Sequence, residues 1–542
     1  MKTLVLSVFV LILQFSSFAE EKYRYLVLFK DKSNSPFSIE KPEEFLSKKS
    51  VQRRIKNQIS INEQDLPVNP SYLKELSALG AKVIYPLKWL NGALVQMTPS
   101  SKNKILSNSH VKGFYHPFAL DSGVVNSPNA IHKGTLSNSK ENTEILYGQS
   151  NTQIVQIGLD HMHIAGITGK NVLVTLLDDG YINTTTLPAF KSLVDEKRLV
   201  GTLTTSPDRT TVFEKGKHGT NVLSIITGYV DNTLIGGAFK ASIALAQTEE
   251  SEWEKLVEEV NWMRGAEWAD SLGTDIIQSS LGYTEFDLAL YNHKYNQLNG
   301  NTTIVTKAAN WATDRGIICV ISAGNEGSSA WKYISAPGDA LDILTVGAVS
   351  SSSTKIGFSS LGPTSDGRLK PDVCALGSGV RGADTDGSFG YFAGTSFSSP
   401  LVTSLVAGLM EQFPNQKANT IKEIVRKSAT LAATPNNNLG YGVPSYEKSA
   451  ELLSPVLATN NFEDQSIQVY PNPVEMGGNV FLSSSNAMSY VVELLNIHGQ
   501  TVQEFNWMGE QRSISLGPIR SGKYFIRIKS ASLLKIVPII VY

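Results

Sequence analysis

The stretch "VLVTLLDDG", residues 172–180, opens with an almost unbroken apolar run and then turns abruptly acidic. A strand with one wet face alternates apolar and polar residues. A run without alternation belongs to a strand covered on both faces, as in a parallel sheet. Four more runs share this character: "ASIALAQ" (241–247), "TDIIQSSLG" (274–282), "GIICVISAGN" (316–325) and "DILTVGAVS" (342–350). Between them lie stretches with helical spacing, "HGTNVLSIITG" (218–228), "WEKLVEEVNWMRGAEWADSLG" (253–273) and "TTIVTKAANWATDRG" (302–316). Alternating strand and helix signals predict an α/β domain built on a parallel sheet, placed at residues 147–455.

The polar residues sit where such a sheet would put a site. Asp178 ends its strand and Gly180 turns the chain away, so the carboxylate emerges at the carboxyl edge of the sheet. His218 starts a helix and is followed by Gly219, which has no side chain to crowd it. Asn325 lies in a glycine-flanked turn directly after another buried strand. In "YFAGTSFSSP" (391–400), Ser396 precedes an apolar helix that Pro400 is expected to open. Each residue has an ordinary structural use, as helix cap, helix start or turn. Together they supply a nucleophile, a base, a group to orient the base and a donor for an oxyanion.

At this point the chain resembles the subtilisin-like serine peptidases. The matching motifs are Leu177-Asp178-Asp179-Gly180, His218-Gly219-Thr220-Asn221-Val222, Ser322-Ala323-Gly324-Asn325-Glu326-Gly327 and Gly394-Thr395-Ser396-Phe397-Ser398-Ser399-Pro400. They occur in the order Asp, His, Ser, which separates this family from other triad folds. "IIQSSLG", "FSSLGP" and "LKPDV" agree with it. The resemblance implies Ser396 as nucleophile, His218 as general base, Asp178 as its orienting acid and Asn325 as an oxyanion donor. It implies an S1 pocket lined by Ser280, Leu281 and Gly282 on one side and Ser322, Ala323 and Gly324 on the other. Its floor has no assignment from sequence. No cofactor is implied for the chemistry, no metal ligand is assignable, and structural calcium stays open. Asp384-Thr385-Asp386-Gly387 is read as a hairpin turn, since the later ligands of a calcium loop are missing.

The chain has 542 residues, which predicts several domains, and an apolar share of 41% with 43 glycines, as in ordinary globular proteins. With 48 basic and 49 acidic residues the net charge is −1, which offers no electrostatic reason to expect nucleic acid or an anionic membrane as partner. Lys2, the apolar run Leu4–Leu13 and Ala19 read as a secretory signal peptide at 1–19, too short to span a bilayer. Residues 20–118 alternate strand and helix signals as a small α+β module. Its basic run Lys48, Lys49, Arg53, Arg54 and Lys56 is read as a solvated helix face. Residues 119–146 read as an exposed, cleavable linker. The two cysteines, Cys319 and Cys374, sit in apolar strand-like runs and are read as buried free thiols, a single disulfide being the alternative.

Block 20–118 has the size and pattern of a subtilase prosegment, an intramolecular inhibitor; an unrelated accessory domain is the alternative. Block 462–542 reads as a small β-sandwich. It resembles the sorting domain of the type IX secretion system through "VYPNPV", "ELLNIHGQTV", "SLGPIRSGKYFIRI" and "KIVPIIVY". The alternative is an adhesive domain that stays attached. The resemblance implies a Bacteroidota-type Gram-negative host, with export through periplasm and outer membrane to the medium or cell surface.

The functional reading is a self-processing zymogen of a secreted serine endopeptidase, with protein or peptide substrates and the secretion machinery as partners. A catalytically silent surface binder and an esterase or peptide ligase are the alternatives. Two features are left open: Asp179, read as solvent-facing or turn-bonding, and the six glutamates of 247–262, which read as a groove rim favouring basic substrates or as a solvated helix start.

Overall fold

The computed structural model describes residues 21–121, 147–207, 209–250, 254–454, 467–484, 489–496, 500–508, 512–529 and 534–542. The signal peptide, residues 122–146 of the expected linker and Glu252 lie outside the described residues. The chain divides into two compact units, Met1–Leu453 and Ser454–Tyr542.

The first unit begins with β1 (Tyr23–Phe29), α1 (Lys48–Asn57), α2 (Pro70–Ala78), β2 (Lys82–Leu87), β3 (Gly92–Met97), α3 (Lys102–Leu106) and β4 (Val111–Phe114). The strands form an antiparallel sheet in the order β2-β3-β1-β4. This is the α+β module expected from the sequence.

Two short helices, α4 (Asn151–Val155) and α5 (Leu159–Ile164), lead into β5 (Leu173–Asp178), α6 (Lys191–Asp195), β6 (Leu199–Thr204) and α7 (His218–Thr227). A small ribbon follows, β7 (Tyr229–Val230) with β8 (Leu234–Ile235). Next come β9 (Ser242–Gln247), α8 (Val257–Leu272), β10 (Ile276–Ser279), α9 (Ile304–Thr313), β11 (Ile318–Ser322), β12 (Leu344–Val349) and β13 (Val373–Leu376). The hairpin β14 (Ser378–Ala383) and β15 (Phe389–Ala393) precedes α10 (Thr395–Gln412), α11 (Ala418–Ser428) and α12 (Tyr446–Leu453). A seven-stranded sheet runs in the order β13-β12-β11-β10-β5-β9-β6, with every pair parallel. All six residues of β5 are buried, as its mostly apolar run predicts. One face packs against α7 and α10, the other against α8 and α9, in two separate cores.

The second core is shared with the N-terminal module. Leu26, Tyr85, Leu87, Trp89, Leu94 and Leu120 pack with Val260 and Ala266 of α8 and Val305 and Ala309 of α9. Ala119 and Leu120, expected in an exposed linker, are therefore buried. The basic face of α1 is also corrected. Arg53 and Arg54 are 3% and 1% exposed, whereas Ile55 is 70% exposed. Asp270 of α8 turns the helix inward: it accepts from Arg53 at 2.5 Å, Arg54 at 2.9 Å and Lys88 at 2.7 Å. Arg54 also holds Asp65 at 3.0 Å, and Arg315 reaches the same carboxylate at 2.7 Å. Burial alone would raise the pKa of Asp270, but Lys88, Arg53 and Arg54 outweigh it and hold the group well below the usual carboxylate range.

The C-terminal unit holds β16 (Ile467–Tyr470), β17 (Asn479–Ser484), β18 (Tyr490–Leu495), β19 (Thr501–Trp507), β20 (Arg512–Ser515), β21 (Gly522–Lys529) and β22 (Leu534–Val541). Sheets β16-β17-β20 and β19-β18-β21-β22 enclose one core that includes Val480, Leu482, Val492, Trp507 and Ile528. This matches the expected small sandwich. Among the described residues, no helix is long and apolar enough to cross a membrane.

Removing one partner from a buried ionic cluster leaves the others desolvated and unpaired, at a cost of about 3–5 kcal/mol. Asp270→Ala should lower the unfolding free energy of the first unit by that order. Equilibrium denaturation followed by tryptophan fluorescence checks it.

Candidate active site

Asp178, the last residue of β5, is 1% exposed. His218, the first residue of α7, directs Nδ1 at its Oδ1 from 2.7 Å. The approach depends on Gly219. A Cβ there would lie 2.4 Å from the Gly180 carbonyl oxygen and 3.0 Å from the Asp178 Cβ, so only glycine lets the helix start press against the strand end.

Asp179 is half-buried, and its backbone-bonding role reaches a different segment from its own turn. Its carboxylate accepts the N–H of Gly219 at 3.0 Å and of His218 at 3.4 Å, capping α7 from outside its own segment. Burial, then the neighbouring Asp178 charge, pushes its pKa up to about 6. At His218, burial disfavours the imidazolium, but Asp178 by charge and hydrogen bond, with Asp179 and Glu249 behind it, pushes the pKa up to about 9. The His218 side chain is 33% exposed.

Ser396 is the second residue of α10 and is 8% exposed. The helix begins at Thr395, so Pro400 lies inside it and does not open it. Proline at 400 has no N–H for the carbonyl of Ser396, four residues earlier. Ser280 fills that place: its hydroxyl donates to the Ser396 carbonyl at 2.8 Å, while the Ser396 hydroxyl donates to the Ser280 carbonyl at 3.2 Å. No hydrogen bond joins Ser396 to His218 among the described residues. The two share one rim, where the rings of His218 and Phe397 are 5.7 Å apart.

Asn325 stands in the turn after β11. Its Oδ1 accepts both the N–H of Thr395 at 2.9 Å and its hydroxyl at 3.0 Å. With the oxygen so engaged, the amide NH₂ is the free end. Ser280 follows β10 and Ser322 ends β11, so Ser280-Leu281-Gly282 and Ser322-Ala323-Gly324 leave neighbouring strands at the same sheet edge. The structure thus assembles the sequence-derived residues at one place.

Sequence reasoning missed the supports. Gln278, buried inside β10, donates to Ser280 Oγ at 2.9 Å and Ser399 Oγ at 2.8 Å and accepts from Thr403. The polar residue in an otherwise apolar strand was the available signal. The glutamates of 247–262 depart from the reading as a solvated helix start. Glu258 and Glu259 are 1% and 0% exposed, so they form no solvated helix start. Glu249 is 8% exposed and accepts from Tyr283 at 2.6 Å, with burial first and Glu254 second pushing its pKa up to about 8. Glu250 pairs with Arg24 of the N-terminal module. Cys319 and Cys374 are free and buried, and burial pushes each thiol up to about 12. Asp384–Gly387 forms the β14–β15 turn as expected, with Asp386 accepting from the N–H of Ser388 at 2.8 Å. No group of three potential metal ligands occurs among the described residues.

Three family models match the chain. Residues 169–442 match the model of the Subtilase family, residues 24–131 that of the Peptidase S8 propeptide domain of Bacteroidota, and residues 468–542 that of the Secretion system C-terminal sorting domain. The chain is similar to Subtilisin NAT of Bacillus subtilis subsp. natto, at 28% identity over 294 residues, covering 53% of this chain and 68% of that protein. It is similar to Subtilisin of Bacillus pumilus at 27% over 284 residues, covering 51% and 90%. Serine protease AprX of Bacillus subtilis (strain 168) is 24% identical over 315 residues, covering 52% and 67%.

The Asp178 carboxylate raises the His218 pKa by favouring the imidazolium, so removing its charge must lower it. Asp178→Asn should bring the imidazole titration down by at least about one unit. Histidine NMR across pH 5–10 reads the shift directly.

Proposed function

The chain belongs to the Subtilase family of serine endopeptidases, and we propose that Asp178, His218 and Ser396 are its catalytic triad, with Asn325 its oxyanion donor. A propeptide domain and a type IX sorting domain accompany the peptidase domain, and the sorting domain indicates a protein secreted or held at the cell surface of Bacteroidota. What carries the assignment of roles is the 2.7 Å contact of His218 Nδ1 with the buried Asp178 carboxylate, with the His218 ring 5.7 Å from that of Phe397, the residue after Ser396.

In the proposed reaction, His218 turns its free Nε2 toward Ser396 and accepts the hydroxyl proton as Oγ attacks the scissile carbonyl. Asp178 fixes the Nδ1–H tautomer and stabilises the imidazolium that forms. The oxyanion is met by the Asn325 amide NH₂ and the backbone N–H of Ser396, at the positive end of α10. Imidazolium then protonates the leaving amine, and water repeats the sequence on the acyl-enzyme. Each of these steps is carried by a group of this chain. The substrates proposed are proteins or peptides bound along Ser280-Leu281-Gly282 and Ser322-Ala323-Gly324.

The N-terminal module is proposed to act as an intramolecular inhibitor that the enzyme itself removes, the cut falling within 119–146. Intact mass spectrometry of the exported form and of Ser396→Ala, each produced without the signal peptide, tests this. Loss of roughly 100 or more N-terminal residues by the wild type alone is the expected result. Identical trimming of both proteins would assign the cut to another protease. An untrimmed, inactive wild type would favour a silent binder. In the processed enzyme, Asn325→Ala should lower kcat by roughly 10²–10³-fold, the cost of losing one oxyanion donor, for which a subtilisin asparagine is the reference case. Hydrolysis of a chromogenic peptide gives the ratio.

A further inference from the structure

Gln278 lies inside the central sheet, where an amide has no packing reason to be. It is 1% exposed, the third residue of β10, in register between Leu176 of β5 and Val320 of β11. An apolar side chain would fill this position without the cost of desolvating an amide. The hydroxyls around it are as dry. Ser399 and Thr403 are fully buried, and Ser280 is 6% exposed.

Counting protons fixes how these groups are ordered. The Ser396 carbonyl can only accept, so the single hydroxyl proton of Ser280 is committed to it at 2.8 Å. The Gln278 atom 2.9 Å from Ser280 Oγ must therefore donate, which places Nε2 there and turns Oε1 to the Thr403 hydroxyl. The second Nε2 proton goes to Ser399 Oγ at 2.8 Å. Ser399 lies 3.1 Å from Ser280 Oγ, and its own proton is donated there. Every proton then has one place. The donations run in one direction, from Thr403 through Gln278 to Ser280 and on to the Ser396 carbonyl. In a dry site the bonds of such a chain strengthen one another by polarisation.

Gln278 decides that direction. A hydroxyl can donate or accept on either side, whereas the amide accepts at one end and donates twice at the other. The chain ends on Ser396, whose own hydroxyl donates back to the Ser280 carbonyl at 3.2 Å. We infer that Gln278 is a positioning residue of the reaction, ordering the buried hydroxyls so that Ser280 holds the Ser396 carbonyl. The first turn of α10, which carries the nucleophile and the N–H offered to the oxyanion, is fixed by that hold. The inference rests on the role of Ser396 proposed above.

The test compares processed wild type with Gln278→Leu, Gln278→Glu and Thr403→Val. Trace immobilised wild type, afterwards removed, completes the processing of slow variants. Rates are expressed per titrated active site, so loss of folded protein does not mimic the effect. Gln278→Leu should lower kcat at least about tenfold and shift KM by less than about threefold, since alignment and not ground-state binding is lost. Its labelling by a fluorophosphonate, which reads Ser396 reactivity without a peptide, should slow in parallel. In Gln278→Glu the ionised carboxylate can only accept, so the Ser280 and Ser399 protons turn to it and the Ser396 carbonyl loses its donor. The neutral acid still donates once. The ratio of kcat, variant to wild type, should therefore fall at least about threefold from pH 6 to pH 9. In case Gln278→Leu does not fold, Thr403→Val, which removes only the hydroxyl facing Oε1, decides: a lower kcat supports the inference and an unchanged one overturns it. A Gln278→Leu kcat and labelling rate within about twofold of wild type would overturn it while leaving the peptidase intact. So would a Gln278→Glu ratio that does not fall with pH. A wild type that neither cleaves peptide nor takes the label would overturn the peptidase reading, and this inference with it.

Discussion

The placing of the candidate site answers to one constraint: the central strands are covered on both faces. In β5, β10, β11 and β12 every residue is buried, so a charged side chain has only the strand ends at which to meet water. Asp178, Ser280 and Asn325 lie at or just past the carboxyl ends of three adjacent strands, β5, β10 and β11. Helices α7 and α10 bring His218 and Ser396 to the same edge at their first turns, where backbone N–H groups are still unpaired. The site is the part of a dry sheet at which polarity is affordable, and its members converge because no other location suits them.

The opposite face follows a different logic. Helices α8 and α9 present an apolar surface, and the N-terminal sheet covers it through Leu26, Leu87, Trp89 and Leu120. Within this shared core lies the Asp270 cluster. Glu267, 2% exposed, accepts the backbone N–H of Lys88 and of Trp89 at 2.9 Å each. Two acids of α8 thus take their partners from the N-terminal module. Removing that module would strip charge compensation and apolar cover together, so the two parts are mutual solvents in the zymogen.

Legibility in the sequence follows the range of the physics. Strand burial, helix starts and the positions of Asp178, His218, Asn325 and Ser396 are local properties, carried by apolar runs and glycine punctuation, and they were readable. Arg53 and Arg54 were not, because their partner Asp270 is 217 and 216 residues away and nothing in the helix itself reports it. Glu258 illustrates the same point. It is buried because its carboxylate accepts the N–H of Glu250 at 2.6 Å and of Lys255 at 3.0 Å, a loop geometry invisible to composition.

Pro400 gives the start of α10 a mechanical property. With its N–H absent, the first turn of α10 lacks one internal tie, and the Ser280 hydroxyl replaces it from the wall of the groove. Helix start and groove wall are therefore joined by a strut and cannot relax independently. A load on the Ser280 segment is carried into the turn that holds Ser396, so the positions of the two are a single coordinate.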